Sequence, residues 1–373
     1  MSSGMDLDLL HEYKTQFNAL LTVAPFTLNK QQKEAKLGAL LTILHQYHLE
    51  HCAPYRKIQQ KIRLSPQALA PNTTIAAQAF LAVRLFKQHE LSSINPDNIF
   101  KVLRSSGTTE QAPAKVLLDK ETSARQSKVL VNILQNILGK QRLPMLVIDA
   151  ESVARGRGHF SARTAGIQGL SFFGRKHVYA LNEDMSPNWK AIDEFFHQYG
   201  EGPVLIFGFT FMIWQYFIEA AIREGKSLSA KKALIIHSGG WKKLVSKAVD
   251  NIAFKAACDR VVRGSEVHNF YGMAEQVGSI FIECEQGHLH APNMADVIIR
   301  QVHDLSECMI GETGLIQVLS AIPTSYPGHS ILTEDLGKMI GEDDCQCGRL
   351  GKYFEVLGRI PKVEVRGCSD THE

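Results

Sequence analysis

Short apolar runs that alternate with helical segments constrain the fold of this chain more than any other feature. The runs of strand length are LPMLVID (143–149), GPVLIFGF (202–209), ALIIHSGG (233–240) and EVHNFYG (266–272). Stretches with apolar residues at helical spacing separate them. Because parallel strands need long crossover connections, which are usually helices, the alternation predicts an α/β fold with a largely parallel sheet.

The regions on either side of this core have a different character. Residues 1–95 are predicted to be helical, because their apolar residues recur at helical spacing. Residues 96–276 are expected to form the α/β core. Short strands with Gly, Asn, Asp and Pro at the turns predict a β-rich subdomain at 277–357, followed by a short tail at 358–373.

Composition argues against several classes of protein. A net charge of +3 and the lack of any run of five basic residues give no sign of a nucleic-acid partner. The seven cysteines are sparse and odd in number, and no secretory signal precedes them, which predicts a reducing, cytoplasmic location. The apolar stretch 204–222 contains Gln215 and Glu219, so we expect a buried strand and an amphipathic helix there instead of a membrane span.

A turn of small hydroxylated residues, RSSGTT at 104–109, is the first chemical signal. The backbone N–H groups of such a turn can converge on a polyphosphate, and its hydroxyls donate further hydrogen bonds. Lys115 is expected to reach the same anion across a hairpin. No Walker A pattern is present, which excludes a P-loop NTPase. Taken alone, a cluster of this kind is more often a solvated turn.

Further stretches of the same character follow the turn in a fixed order: HSGGW (237–241), YGMAE (271–275), TEDLGK (333–338) and Gly358-Arg359. Tyr271 offers a stacking face and Glu275 an oxygen ligand for Mg²⁺. Asp335 can accept hydrogen bonds from ribose hydroxyls, and Arg359 can donate to a phosphate or to the ribose. Individually each stretch is also compatible with a turn, a core tyrosine or a solvated charge pair; their order together predicts a nucleotide site.

The predicted nucleotide-binding residues are Ser105, Ser106, Gly107, Thr108, Thr109, Lys115, Ser238, Gly239, Gly240, Tyr271, Gly272, Met273, Ala274, Glu275, Asp335 and Arg359.

In these motifs the chain resembles the acyl-adenylating superfamily of acyl-CoA synthetases, adenylation domains and luciferases. Within it, the chain most resembles the acyl-protein synthetases of bacterial bioluminescence, and phenylacetate-CoA ligases share several of the features. SSGTT, YGMAE, TEDLGK and the terminal RGC carry the resemblance, which runs from about Phe100 to Cys368. It implies the superfamily's adenylating fold, ATP and Mg²⁺ as cofactors, and activation of a fatty acid to acyl-AMP. The family's phosphate loop usually ends in glycine, where this chain has Glu110.

The resemblance also assigns a role to Cys368. A cysteine near the C-terminus of the bioluminescence synthetases is implied to accept the acyl chain and present it to a reductase subunit. A thiolate attacks an acyl-adenylate readily; Arg366 would favour the thiolate and Gly367 would let the tail swing. An ordinary exposed tail cysteine is the alternative. The predicted catalytic residues are therefore Cys368, Thr108, Glu275 and Arg359.

Relatives that make CoA thioesters continue past the GR motif into a rotating small domain that carries a lysine. Only fourteen residues follow Arg359 here (373 − 359), so we expect this lid domain to be truncated. This shortness favours an acyl-protein synthetase that delivers its acyl group to a reductase or an acyltransferase. An acyl- or aryl-CoA ligase and a non-catalytic nucleotide-binding protein are the alternatives.

The sequence also contains a candidate metal site and a candidate acyl pocket. Cys345 and Cys347 with the distant Cys284 and His290 form a Cys₃His set that suits structural zinc. The similar CxCGR element of phenylacetate-CoA ligase-like proteins implies zinc as well, with reduced buried thiols as the alternative. Ligand sites lie at the carboxyl ends of parallel strands, so the strand end at 207–210 is expected to line the acyl pocket, although a plain core strand is an equal alternative. The pocket residues are Phe207, Gly208, Phe209 and Thr210.

Overall fold

A computed structural model gives the fold, and it describes residues 2–61, 74–104, 114–154, 162–241 and 248–360. The described residues form two compact units. Unit 1 contains the residues up to Asn136 and those from Gly272 onward, and unit 2 contains Ile137–Tyr271.

The N-terminal part of unit 1 is mostly helical, as predicted. A capping box fixes the start of its second helix: the Asn29 side chain accepts a hydrogen bond from the backbone N–H of Gln32, whose side chain accepts one from the N–H of Asn29. The elements are α1 (Ser2–Leu21), α2 (Lys30–His51), α3 (Ala53–Lys61), β1 (Leu81–Ala82), α4 (Leu85–Gln88), β2 (Lys101–Arg104), β3 (Lys115–Leu118) and α5 (Lys120–Leu138).

Unit 2 is the α/β part of the chain. Its five strands run parallel in the order β5-β4-β6-β7-β8, which confirms the predicted α/β class and parallel sheet. All eight residues of β4 are buried, as expected for a strand covered on both faces. The elements are β4 (Leu143–Ala150), α6 (Glu151–Ala154), α7 (Ala162–Ser171), β5 (Gly174–Leu181), α8 (Trp189–Tyr199), β6 (Pro203–Phe209), α9 (Thr210–Met212), a π-helix (Ile213–Ile218), α10 (Glu219–Arg223), β7 (Leu228–Ser238), α11 (Asn251–Val261) and β8 (Val262–Tyr271).

The apolar stretch 204–222 is strand β6 followed by the short helices α9 and α10 and the π-helix between them. Across the described parts of the chain, no helix has both the length and the apolar character that crossing a membrane requires.

The C-terminal part of unit 1 is rich in β-structure, as predicted. Its antiparallel strands follow the order β11-β12-β13-β14-β10-β9, and β1 adds to β13 in parallel. The strands are β9 (Phe281–Glu283), β10 (Leu289–His290), β11 (Ala295–Arg300), β12 (Thr313–Ser320), β13 (Ser330–Glu342) and β14 (Lys352–Arg359).

Three histidines share a buried site in the core of unit 1. The rings of His48 and His329 stack with their centroids 5.1 Å apart, and His45 Nδ1 lies 2.8 Å from the hydroxyl of Tyr55. Within the described chain, His45 Nε2 and His329 Nδ1 are buried without a hydrogen-bond partner. Burial lowers the pKa of His45 to about 4 and that of His48 to about 3, and it lowers that of His329 well below its usual value. All three rings are therefore neutral in the folded protein near pH 7.

These histidines are expected to make the fold sensitive to acid. Below about pH 6.5 these histidines bind protons in the unfolded chain but stay neutral in the folded chain. The free energy of unfolding therefore falls as pH falls toward the lowered pKa values of the folded state. The loss is at most about 1.4 kcal/mol per pH unit for each histidine. Urea unfolding at pH 7.5 and 5.0 should show that the free energy of unfolding depends less steeply on pH in His45→Asn than in the wild type. His303→Asn, which removes a ring that is 75% exposed, is the control and should keep the wild-type dependence. An unchanged dependence in His45→Asn would contradict this account.

Candidate active site

The predicted phosphate turn joins two paired strands. β2 and β3 form an antiparallel hairpin in which Arg104 lies opposite Lys115. Lys115 therefore sits at the end of the hairpin that leads into residues 105–113. Those residues, with the predicted Ser105, Ser106, Gly107, Thr108 and Thr109, lie outside the described part of the chain, as does Cys368.

Glu275 is the most buried carboxyl group of the candidate site. It lies in a single 3₁₀ turn, Ala274–Gln276, and is 6% exposed. Burial raises the pKa of its carboxyl group, Lys87 and Arg359 oppose the rise, and Asp335 adds to it. Burial makes this carboxyl group costly to ionise, and a nearby cation would stabilise its charged form. This property suits the predicted role of Glu275 as a Mg²⁺ ligand.

Asp335 and Arg359 are brought together by the pairing of β13 with β14. They lie opposite each other in the register, and Arg359 Nε donates to Asp335 Oδ1 at 3.2 Å. The backbone N–H of Asp335 donates to Thr333 Oγ1 at 3.2 Å, within strand β13. Both charges are close enough to Glu275 to shift its pKa. Unit 1 thus unites three of the predicted site residues in one charged cluster.

In unit 2 the predicted glycines follow the carboxyl end of β7. Ser238 Oγ donates to the carbonyl of Phe270 at 2.8 Å, which joins the ends of β7 and β8 just before Tyr271. Gly239 has φ +86°, and a Cβ there would lie 3.2 Å from the ring of Phe209. Gly240 has open space around its Cα. The rest of the YGMAE motif, Gly272, Met273, Ala274 and Glu275, belongs to unit 1.

The residues predicted to line the acyl pocket lie in packed surroundings. Phe207 is fully buried and Phe209 is 7% exposed. A Cβ on Gly208 would lie 2.9 Å from both Ile148 and Ile213, so this glycine permits close packing of β6 against its neighbours. The expected acyl pocket stays a prediction.

Thr210 contacts His237, to which the sequence analysis gave no role although it belongs to the HSGGW stretch. Its Oγ1 lies 2.6 Å from the carbonyl oxygen of Gly239 and 2.9 Å from His237 Nδ1. Two oxygens at that distance need a proton between them, and a threonine hydroxyl has only one. Thr210 therefore donates to Gly239, and His237 donates from Nδ1 to Thr210.

His237 Nε2 is then left as a hydrogen-bond acceptor. It is buried and has no partner in the described part of the chain. Burial lowers the pKa of His237 to about 3, so the ring is neutral. The signal for His237 in the sequence was its place as a polar residue at the carboxyl end of an apolar strand.

The four predicted metal ligands lie in one cluster of unit 1. One ligand atom from each of Cys284, His290, Cys345 and Cys347 lies within 4.8 Å of all the others. Tetrahedral zinc, with zinc–sulfur bonds of about 2.3 Å, places its sulfur ligands about 3.8 Å apart, so a small contraction would complete the site. The donor set fits zinc, which prefers thiolate and imidazole ligands.

Neighbouring groups support this cluster. His290 pairs with Tyr353 across β10 and β14, and their rings stack with centroids 5.3 Å apart. The backbone N–H of Arg349 donates to Cys347 Sγ at 3.4 Å. His288 Nδ1 lies 3.6 Å from Cys345 Sγ. Burial raises the pKa of the Cys284 and Cys347 thiols, so both stay protonated unless a cation replaces the proton.

Comparison with solved structures defines the class of fold. An open conformation of 2-hydroxyisobutyryl-CoA ligase in complex with 2-HIB-AMP and CoA superimposes with a TM-score of 0.66, at 15% identity, over 90% of this chain and 77% of that one. The same ligase in the thioesterification state gives a TM-score of 0.65 at 16% identity, over 90% and 69%. The chain thus has the adenylating-enzyme fold, as predicted.

The particular family follows from the sequence. The pattern of the family described as acyl-protein synthetase, LuxE, matches residues 12–373, and the chain belongs to this family. The predicted resemblance is therefore confirmed. No individual curated protein matches the sequence.

Gly239 and Gly240 provide a matched pair for testing the turn after β7. Gly239→Ala forces a side chain into the left-handed region and against Phe209, so it should lower the free energy of unfolding by about 1–2 kcal/mol. Gly240→Ala has room for its methyl group and should change it by less than about 0.5 kcal/mol. Chemical unfolding of both variants measures the difference. Equal losses would contradict the described backbone of this turn.

Proposed function

We propose that the protein adenylates a fatty acid and then transfers the acyl group to its own Cys368. In the first step the carboxylate oxygen attacks the α-phosphate of ATP, the bond to pyrophosphate breaks, and acyl-AMP forms. In the second step the Cys368 thiolate attacks the acyl carbon, a thioester forms, and AMP leaves with the bonding electrons. The thiol proton passes to solvent.

The charged cluster around Glu275, in a chain of the acyl-protein synthetase family, carries this proposal. Glu275 would hold Mg²⁺, which supplies positive charge to the polyphosphate. Asp335 would accept hydrogen bonds from the ribose hydroxyls, and Arg359, paired to it at 3.2 Å, would donate to the ribose or a phosphate. Thr108 and its neighbours in the predicted phosphate loop would donate to the phosphates.

The choice of a protein as acceptor is supported by the family description, which names a protein as the acylated product. The similar ligase was solved with an acyl-AMP and CoA together, so that protein brings an adenylate and a thiol into one complex. We propose the same order of steps here, with Cys368 in place of CoA. The acyl group would pass on to a reductase or an acyltransferase, in the cytoplasm, where ATP is available and thiols stay reduced.

Labelling with radioactive fatty acids of different length tests the acceptor. With ATP and Mg²⁺, the wild type should gain label that survives denaturation and is released by hydroxylamine. Cys368→Ser should lose more than about nine-tenths of that label and keep acid-dependent pyrophosphate release, because only the second step needs the thiol. Cys308→Ser, which removes a buried cysteine elsewhere, is the control.

Three other outcomes of this experiment would each favour a different function or acceptor. Undiminished labelling of Cys368→Ser would overturn the role of this cysteine. Formation of an acyl-CoA whenever CoA is added, without protein label, would favour a CoA ligase. Failure of every acid to release pyrophosphate would favour a nucleotide-binding protein without catalytic activity.

We also infer that Cys284, His290, Cys345 and Cys347 bind a structural Zn²⁺. The close grouping of their ligand atoms supports this. All four positions of a tetrahedral ion would be filled by the protein, which suits a structural role and leaves no place for substrate. The ion would tie β10 to the segment before β14.

Metal content tests the zinc site. Protein purified from zinc-supplemented cells should contain about one zinc per chain, because four protein ligands fill a structural site. Cys347→Ser should lose most of the metal and lower the thermal midpoint of unfolding, whereas Cys308→Ser should keep both. Wild-type protein that is folded, fully reduced and free of zinc would contradict the inference.

A further inference from the structure

The turn that carries Glu275 is fixed by side-chain hydrogen bonds to and from a distant part of unit 1. Tyr326 Oη donates to the carbonyl oxygen of Glu275 at 2.8 Å. The amide of Gln276 donates to the carbonyl of Gly328 at 2.8 Å and to that of Val318 at 3.1 Å. These contacts span 42 to 52 residues of sequence, so they are tertiary links and not part of the local turn.

The partner segment has little freedom to move. Tyr326 is 1% exposed and packs edge-on against Phe86, with ring centroids 6.2 Å apart. The backbone N–H of Gly328 donates to the carbonyl of Tyr326 at 2.8 Å. A Cβ on Gly328 would lie 2.2 Å from the ring of Tyr326 and 3.0 Å from the carbonyl oxygen of Glu275. The tyrosine hydroxyl thus meets the Glu275 backbone beside a glycine that has no room for a side chain.

We propose that Tyr326, together with Gln276, is a positioning residue that aims the Glu275 carboxylate at its cation. This inference rests on the proposed function, in which Glu275 holds Mg²⁺. A hydrogen bond on the Glu275 carbonyl fixes the peptide plane, and the peptide plane fixes the direction in which the side chain leaves the backbone. Mg²⁺ demands near-ideal octahedral geometry at 2.0–2.1 Å, so a small misdirection of one ligand weakens binding. Loss of such outer partners typically costs 10- to 100-fold in metal affinity or activity.

Two tyrosine variants separate this role from simple stability. Tyr326→Phe removes one oxygen and its bond to Glu275. Tyr13→Phe is matched to it, because Tyr13 is also 1% exposed and its hydroxyl donates to a backbone carbonyl, that of Ala321, at 2.7 Å. Both variants should lower the thermal midpoint by a similar amount, roughly a few degrees.

The Mg²⁺ dependence of acid-driven pyrophosphate release is the deciding measurement. The half-saturating Mg²⁺ concentration should rise about tenfold or more in Tyr326→Phe and stay within about twofold of the wild type in Tyr13→Phe. Equal Mg²⁺ dependence in both variants, with an active wild type, overturns the positioning role alone. A wild type that releases no pyrophosphate with any acid overturns the proposed function, and the inference with it.

A second variant covers the case in which Tyr326→Phe does not fold. Gln276 lies on the same turn as Glu275. Gln276→Met removes its amide hydrogen bonds to the carbonyls of Gly328 and Val318 and keeps the length of the side chain. It should also raise the half-saturating Mg²⁺ concentration, by several-fold. A folded Gln276→Met protein with the wild-type Mg²⁺ dependence would overturn the inference.

Discussion

The burial of the Glu275 carboxyl group is the constraint on which the rest of unit 1 depends. Glu275 is 6% exposed, so its carboxyl group is costly to ionise, and Lys87 and Arg359 offset only part of that cost. The turn must therefore be held by other means, and hydrogen bonds from the side chains of Tyr326 and Gln276 to backbone carbonyls hold it. A carboxyl group that is costly to ionise and is held by a rigid backbone is suited to bind a divalent cation.

Strand β14 connects this charged cluster to the cysteine–histidine cluster. One end of β14 places Arg359 opposite Asp335 in β13, and the other places Tyr353 opposite His290 in β10. The register of one strand thus sets the geometry of both clusters. A zinc ion bound by His290 and the neighbouring cysteines would hold that register, which gives a structural metal a direct physical link to the residues proposed to bind the nucleotide.

Most of the fold could be predicted from periodicity, but the strands β1 and β5 and several site contacts could not. β1 (Leu81–Ala82) lies in the region 1–95 that was predicted to be helical. β4, β6, β7 and β8 were apparent as apolar runs, whereas the edge strand β5 (Gly174–Leu181) escaped notice because three consecutive exposed residues interrupt it. The Cys₃His grouping was predicted because zinc ligands recur in recognisable patterns. The bond from Tyr326 to Glu275 could not be, since a tyrosine that donates to a backbone carbonyl 51 residues away leaves no local signal.

The most direct test of the central claim is acid-dependent exchange of labelled pyrophosphate into ATP, which reports adenylation without any thiol step. The account predicts fatty-acid-dependent exchange by the wild type and by Cys368→Ser. It predicts a loss of about a hundredfold or more in Glu275→Gln protein that remains folded, because that variant lacks the charge proposed to hold Mg²⁺. Exchange by Glu275→Gln at the wild-type rate, or no exchange by the wild type with any fatty acid, would contradict it.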